Sequence, residues 1–536
     1  MLKQIICDKF IQKKIVFHKG LNTVTGDDVA TNSIGKSNML MIIDFVFGGN
    51  DYITKNRDTV ENLGDHEFKF SFEFDEEMFF IRNTKDYKFV YICNDKFEIL
   101  KKITTNEYTE LLKEKYRIEI EDISFREIVG RYSRVYGKEN LNEKKPLQYY
   151  DKEKQKESIM ALIKIFNKYG SIKNLEQQIN TFAEEKNVLA KAAKNDFIPR
   201  ITKTVFSKNE KSIEELQKEI DTLKNNIVSM SDDINVYITK DILELKREKS
   251  SIVKQINIYE SRLKRTKKNI SHEKPKLEEE LIKLNEFFPN VNIEKINEVN
   301  TFHNSLANLL EKELKTSEKE IVDKIEVLNK ELEEIDKKIS DKLDIKDAPK
   351  YAVDRVVELA TQIEQLTSEN SYYNKTLAVT QNLKEAKEDL EQIKGDILSE
   401  VSNQINIKMN EINKKIYSDT RRAPTLNING DRYTFNTYGD TGTGTAYANL
   451  ITFDLSVLEM TKLPFLIHDL PLLKNIENNA LENIVDLYNK FEKQIFIAID
   501  KINTYNDRTM KIIYDNEVIK LSKDRTLFIK NWKKEN

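Results

Sequence analysis

Glycine is missing from the middle of this chain. None of its 14 glycines falls between Gly170 and Gly395, and only Pro199, Pro275, Pro289 and Pro349 interrupt the same stretch. Glycine and proline punctuate turns, so a gap this long leaves room for little but helix. Cysteine is almost absent as well. Cys7 and Cys93 form no CxxC pair, which argues against a disulfide framework or a zinc site. His18, His66, His272, His303 and His468 stand in no metal-ligand spacing. A run of about 18 apolar residues able to span a membrane is lacking, and the opening MLKQIICDKF has no apolar signal core. The expectation is a soluble, cytoplasmic protein with no membrane partner. Charge of one dominant sign is missing too: 87 Lys and Arg face 90 Asp and Glu, for a net charge of -3. With 33% charged residues of mixed sign, the composition fits solvated helix faces better than a disordered tail or a uniformly basic nucleic-acid binder.

Heptads fill the glycine-free region. Ile213, Leu216, Ile220, Leu223, Ile227, Met230 and Ile234 step by alternating threes and fours. Ile321, Ile325, Leu328, Leu332, Ile335 and Ile339 do the same, as do Leu383, Ala386, Leu390, Ile393 and Ile397. Apolar a/d spacing with Lys and Glu between is the coiled-coil signature; a globular helical bundle is the blander alternative. Pro275 and Pro289 must break helices between the blocks, and Phe287 and Phe288 need cover, which places a tip or elbow near 270–305. The chain is expected to go out along one helix and return along another over residues 161–417.

The flanks read differently. EFKFSFEFDEEMFFIRN and FVYICND alternate like strands within residues 1–160. TLNINGDRYTFNTY, LPFLIHD and KQIFIAID read as strands within 418–536, with a helix AYANLITFDLSVLEM among them. Two α/β halves brought together by the hairpin would form one head. In the first half, GLNTVTGDD approaches a loop that ends in Gly35-Lys36-Ser37, and SNMLMIIDFVFGG continues as helix. Strand, loop and helix in that order suit a phosphate: loop N–H groups and the helix N-terminus face the anion, Lys36 reaches the β/γ-phosphates and Ser37 holds Mg²⁺. Ala30 stands where the first glycine of such a loop is expected. A plain surface turn is the bland reading of Gly35-Lys36-Ser37.

The run Thr31–Ser37 with the coiled coil behind it resembles the phosphate loop of the SMC and SbcC-like coiled-coil ABC ATPases, with Ser33 where that family has glycine. The branch it looks closest to carries a C-terminal domain of unknown function and occurs beside partner genes in phage-defence systems. The resemblance implies an α/β ABC-type P-loop head built from the N- and C-terminal segments and joined by a long antiparallel coiled coil. It implies ATP held by Asn32, Ser33, Ile34, Gly35, Lys36, Ser37 and Asn38, with Mg²⁺ on Ser37 and Asp469. Asp469 ends the apolar run Phe465–His468 like a Walker B acid, and with Lys36 it would carry the catalytic role. Thr443 and Gly444 match the signature pair that caps the nucleotide of a second copy, so a homodimer of heads around two ATP molecules is expected. Leu470 stands where the family has its water-polarising glutamate, and Asp500 where it has a switch histidine. Both departures imply slow hydrolysis, with Glu477 as a substitute carboxylate. In place of a Q-loop glutamine, Arg126, Arg131 and Arg134 offer phosphate or coupling contacts. DNA is expected at Lys414, Lys415, Arg421 and Arg422, with a second patch at Lys264, Arg265, Lys267 and Lys268; solvated helix charge is the bland reading of both. Partner subunits encoded by neighbouring genes would carry any destructive chemistry, since no nuclease motif is visible. A stand-alone DNA-repair or chromosome-tethering ATPase, and a structural scaffold with a degenerate nucleotide site, are the alternative functions.

Overall fold

The computed structural model describes residues 1–27, 34–195, 197–228, 240–270, 293–343, 350–436, 439 and 442–530. Strands β1 (Leu2–Ile6), β2 (Lys14–Val16) and β3 (Leu21–Thr25) precede helices α1 (Lys36–Val46), α2 (Asp51–Thr54) and α3 (Arg57–Leu63). Next come β4 (Glu67–Glu73), β5 (Glu77–Asn83), β6 (Phe89–Cys93) and β7 (Ile99–Thr104). They lead to α4 (Thr105–Lys115), α5 (Phe125–Gly130), β8 (Ser133–Arg134) and α6 (Gln155–Ile165). Long helices follow: α7 (Gly170–Lys194), α8 (Lys203–Val228), α9 (Lys240–Ile270), α10 (Ile293–Leu343) and α11 (Lys350–Tyr417). The last stretch holds β9 (Thr425–Asn429), β10 (Arg432–Asn436), α12 (Thr443–Met460), β11 (Phe465–His468) and α13 (Leu470–Leu473). It ends with α14 (Asn478–Tyr488), β12 (Gln494–Ile499), α15 (Asp507–Asp515) and β13 (Glu517–Lys520).

The chain divides into two compact units, one formed by Met1–Ala183 with Asn382–Asn536 and the other by Glu184–Gln381. In the first, a five-stranded sheet runs β13-β3-β12-β11-β8 with every pair parallel. Strands β3, β11 and β12 are buried along their whole length. Their continuous apolar runs are what a parallel sheet covered on both faces requires. The strands are mixed in origin: β3 and β8 come from the first half of the chain, β11, β12 and β13 from the second. An antiparallel sheet of order β2-β1-β4-β5-β6-β7 lies in the same unit, with Phe68, Phe70, Phe72 and Phe80 turned into the core.

Helix α1 joins the two sheets. Residues 39–46 are all buried, so this helix has no wet face and sits in the middle of the core. At its end Phe47 stacks on Phe465 of β11 at 3.9 Å and meets Phe72 of β4 edge-on at 5.1 Å. A buried helix end needs partners for its last carbonyls. Arg82, with no exposed surface, donates Nη1 to the carbonyls of Phe45 and Gly49, and the Tyr108 hydroxyl donates to that of Val46.

Two antiparallel helix pairs make up the second unit. Leu216, Ile220 and Leu223 of α8 pack on Val356, Leu359 and Ile363 of α11. Leu245, Ile252 and Ile256 of α9 pack on Leu328, Leu332, Ile335 and Ile339 of α10. Heptad positions of the first two blocks thus form seams, whereas Leu390, Ile393 and Ile397 of the third pack against the core of the first unit. Antiparallel register follows from the cross-pairs: Asn209 meets Asn370 and Glu219 meets Arg355, while Lys249 meets Asp336 and Lys267 meets Glu318. Met230, Ile234, Pro275, Phe287, Phe288 and Pro289 lie outside the described residues, and with them most of the expected tip; α10 has already begun at Ile293.

The buried side of α1 carries one acid. Asp44 is fully buried between Arg126 at 2.8 Å and Lys138 at 2.7 Å. Burial alone would raise its pKa, but the two cations reverse this and hold the carboxyl far below the usual carboxylate range. A folded-state pKa below the unfolded one contributes stability above the unfolded value, near pH 4, and loses it as pH falls through the folded value. Asp44→Asn, which leaves two buried cations short of a counter-charge, is expected to cost about 3–5 kcal/mol at pH 7. Thermal melts at stepped pH check this: the gap between wild type and variant should close progressively below about pH 4.

Candidate nucleotide site

The C-terminal ends of β3, β12 and β11 lie side by side, and each is followed by a residue that the sequence singles out. After β3 the chain passes Gly26 and reaches Gly35, which has φ 104° and caps α1 without a side-chain hydrogen bond. The first N–H groups of a helix have no intrahelical acceptor and attract anions. Lys36, the first residue of α1, is buried; its Nζ lies 3.5 Å from Asp500 Oδ2, just beyond β12. It runs over Gly26, where a Cβ would come within 2.9 Å of Lys36 Nζ. Gly26 therefore leaves the passage by which the lysine crosses from α1 to the ends of β3 and β12.

Beyond β11, Asp469 caps α13. It accepts from the N–H groups of Leu470 at 2.8 Å and Tyr136 at 3.0 Å, and it is hydrogen-bonded to the Ser37 side chain. Burial pushes the Asp469 carboxyl above its usual value, against the opposing pull of Ser37, the two N–H groups and Lys36. A desolvated carboxylate paired with a hydroxyl is a set of hard oxygen donors, and a divalent cation there would relieve the burial of the charge. The donor set fits Mg²⁺: Ser37 and Asp469 would hold it, and bound there it would neutralise phosphate charge.

Asn38 accepts from Asn56 Nδ2 at 3.0 Å and donates to Thr59 Oγ1 at 3.4 Å. These three, with Ile34, Gly35, Lys36, Ser37 and Tyr136, line a cavity of about 700 Å³. Such a volume lies in the range of small-molecule and cofactor sites. Lys474 and Lys530 line it as well, opposite the single carboxylate Asp58, an excess of positive charge that suits a polyanion. Asn32, Ser33 and Ala30 lie outside the described residues.

Thr443 and Gly444 begin α12 but do not line the cavity; Tyr447, one turn on, does. Gly444 backs onto Asn475, whose carbonyl oxygen would stand 2.3 Å from a Cβ there. Arg421 donates to Thr445 Oγ1 at 2.8 Å and to Glu477 at 2.9 Å. Arg421 therefore belongs to the corner at the start of α12 rather than to an open basic surface, and Glu477 is held in an ion pair. Lys414 pairs with Asp419 at 3.5 Å, while Lys415 and Arg422 are exposed. In the second patch Lys264 is exposed and Lys267 pairs with Glu318 at 3.8 Å; the side chains of Arg265 and Lys268 are outside the described set.

The arginines offered in place of a Q-loop glutamine all turn inward, and none lines the cavity. Arg126 binds Asp44, Arg131 binds Glu153 at 2.6 Å, and Arg134 grips Asp454 with Nε at 2.5 Å and Nη2 at 2.7 Å. His468 joins the last pair, with Nε2 3.1 Å from Asp454 Oδ2 and Nδ1 2.7 Å from the Tyr488 hydroxyl. It is a packed histidine, and among the described residues no group of three His, Cys, Asp or Glu could hold a metal ion. Instead of an arginine, this stretch contributes Tyr136 to the cavity. Asn56, Thr59 and the segment Thr526–Phe528 are further lining residues that the sequence does not announce.

Residues 412–530 match a family profile described as an uncharacterised protein conserved in bacteria, DUF2326. No curated protein matches the chain. Among solved structures, it is similar to the Smc head domain with a coiled coil and joint from Pyrococcus yayanosii. Identity there is 16% and the TM-score 0.46, over 97% of this chain and 94% of that one. A second similar structure is the Smc head domain with an extended coiled coil from Pyrococcus furiosus, bound to the C-terminal domain of ScpA. It is 12% identical, with a TM-score of 0.35, over 97% of this chain and 92% of that one. Among the described residues no helix is long and apolar enough to cross a membrane.

Lys36→Ala is expected to weaken binding of a non-hydrolysable ATP analogue with Mg²⁺ by at least about tenfold, the worth of one charge-assisted hydrogen bond. Calorimetry on wild type and variant checks it, with a melting curve of each to show that the fold is kept.

Proposed function

We propose that this protein is an ATP-binding switch of the SMC/SbcC-like coiled-coil type, whose heads associate around Mg²⁺-ATP and pass the nucleotide state to DNA or to a partner effector. One observation carries the reading. Lys36, Ser37 and Asp469, drawn from opposite ends of the sequence, converge at the ends of adjacent parallel strands beside a cavity with excess positive charge. Backbone donors at the start of α1 take phosphate oxygens, Lys36 neutralises the outer phosphates, and Ser37 and Asp469 hold the cation. Electrostatic stabilisation of this kind is usually the largest catalytic term. Asp500 keeps Lys36 oriented until phosphate competes for it.

A general base is the weak point. Leu470 follows Asp469 and can neither orient water nor accept its proton, and Glu477 is occupied by Arg421. Losing a positioned base costs a factor of about 10²–10⁴. Slow turnover makes a long-lived bound state, which is the property of a switch. DNA would meet the head at Lys415 and Arg422, with Lys414 beside them. Anti-phage defence, with effector subunits encoded nearby, is the setting that the sequence resemblance favours. Co-purification with the products of neighbouring genes, with and without ATP and DNA, separates that setting from stand-alone repair or tethering. A scaffold with a degenerate site would bind no nucleotide.

ATP, rather than protein concentration alone, should double the mass seen by light scattering. Thr443→Arg should remain single while still binding nucleotide; position 444 is unsuitable because any side chain there strikes Asn475. A wild-type mass that ignores ATP would count against head association. Purified protein alone should release phosphate well below the ~1 s⁻¹ low end of ordinary enzymes. Turnover of several per second, lost in Asp469→Ala, would show that another group supplies the base.

A further inference from the structure

The segment after β13 does not trail away from the fold. Residues 525–529 return along residues 9–12 and meet the phosphate loop at Ile34 and Gly35. The Ile11 N–H donates to the Leu527 carbonyl at 3.0 Å, and the Ile529 N–H to that of Lys9 at 2.9 Å. Phe528 packs on Phe10 with ring centroids 5.8 Å apart, and Arg525 Nη2 donates to Gln12 Oε1 at 2.8 Å. Held this way, the segment sends one residue to the site. The Leu527 N–H donates to the Ile34 carbonyl at 3.0 Å, and its buried side chain lies over Gly35. A Cβ on residue 35 would stand 2.5 Å from that of Leu527. Thr526, Leu527 and Phe528 then form part of the cavity wall beside Gly35 and Lys36.

We propose that Leu527 is a positioning residue of the nucleotide site, and that the segment Thr526–Phe528 and residues 34–37 are held in place by one another. Gly35 is in the left-handed region, and its two neighbours are fixed by different means: Lys36 by α1, Ile34 by the hydrogen bond from Leu527. Removing Cγ and Cδ2 of the leucine, which lie 3.5 and 3.4 Å from where a Cβ on residue 35 would stand, loosens the cover over Gly35 and lets its N–H turn away from the cavity. Because coupling between two events is reciprocal, a nucleotide that fixes the loop must tighten the segment by the same factor. A partner gripping the segment would tune nucleotide affinity without touching the cavity. The proposal rests on the nucleotide reading given above.

The test uses the full chain and a non-hydrolysable ATP analogue with Mg²⁺. Leu527→Ala should weaken the analogue roughly 3- to 30-fold, the range of 0.5–2 kcal/mol seen for coupled positions. Leu527→Met, which refills the space over Gly35, should restore most of the affinity. Hydrogen exchange on wild type, which needs no folded variant, should show amides 526–529 slowed by the analogue. In ligand-free Leu527→Ala, amides 34–37 should exchange faster while those of β12 stay unchanged. Wild-type affinity in Leu527→Ala alongside lost binding in Lys36→Ala overturns this proposal and leaves the nucleotide reading standing. Exchange of 526–529 that ignores the analogue overturns it as well. A wild type that binds no analogue removes both.

Discussion

Parallel pairing of β3 with β12 is the constraint on which everything else depends. Leu21 through Thr25 take Ile495 through Ile499 as partners, so the second strand of the core sheet comes from the far end of the chain. Without that pairing, Lys36 and Asp500 have no reason to meet and Asp469 has no Ser37 beside it. Gln494 reinforces the seam from its side chain: its amide accepts from the Leu2 N–H and donates to the Leu2 carbonyl, standing in for a strand beside β1. The antiparallel sheet is thereby tied to the parallel one through a buried side chain as well as through α1. Closing so long a loop costs little extra in entropy, since each doubling of length adds only about 0.6 kcal/mol. Antiparallel pairing of α8 with α11 and of α9 with α10 shortens the effective loop further.

Much of this was legible because hydrophobic patterning is local. The runs FKFSFEF and FVYIC alternate and became edge-to-edge antiparallel strands, while LPFLIHD and KQIFIAID are continuous and became buried parallel ones. Heptads at Leu216, Ile220, Leu332, Ile335 and Ile339 found their partners. What escaped has a common physical cause. Arg126, Arg131 and Arg134 read as cations near a phosphate, yet charge in a sequence carries no sign of burial. Each found a carboxylate that lies 22 to 320 positions away. The partners of Arg421 were illegible for a like reason, since Thr445 and Glu477 are brought to it only by the folded corner. Tyr136 and Leu527 gave no signal at all: neither stands in a motif, and both enter the cavity wall through backbone bonds, to Asp469 and Ile34.

The charges around the site fall into two kinds of cell. In one, Asp44 takes two cations, and Arg134 with Asp454 and His468 forms a second closed set; in these cells every charge is answered inside the protein. In the other, Lys36, Lys474 and Lys530 line the cavity with the carboxylate Asp58, while Asp469 is buried and hydrogen-bonded to Ser37. The first kind is closed within the framework, while the cavity lining carries more lysine than carboxylate. Arg134 begins the turn that carries the Tyr136 N–H to Asp469, so the two kinds of cell are mechanically continuous.

Interleaving the strands also sets an order of events during synthesis. Leu2 and Gln494 are 492 positions apart. At about 5–20 residues per second, a ribosome needs on the order of 25–100 s to make β12 after β1 has emerged. For all that time β3 is an apolar strand with neither of its sheet neighbours. The antiparallel strands β4 to β7 pair locally and are complete early, so they and α1 can cover β3 until its partners arrive. The edge-on contact of Phe47 with Phe72 needs only residues made early, whereas the stack of Phe47 on Phe465 that completes the joint between the two sheets must wait until Phe465 has been made.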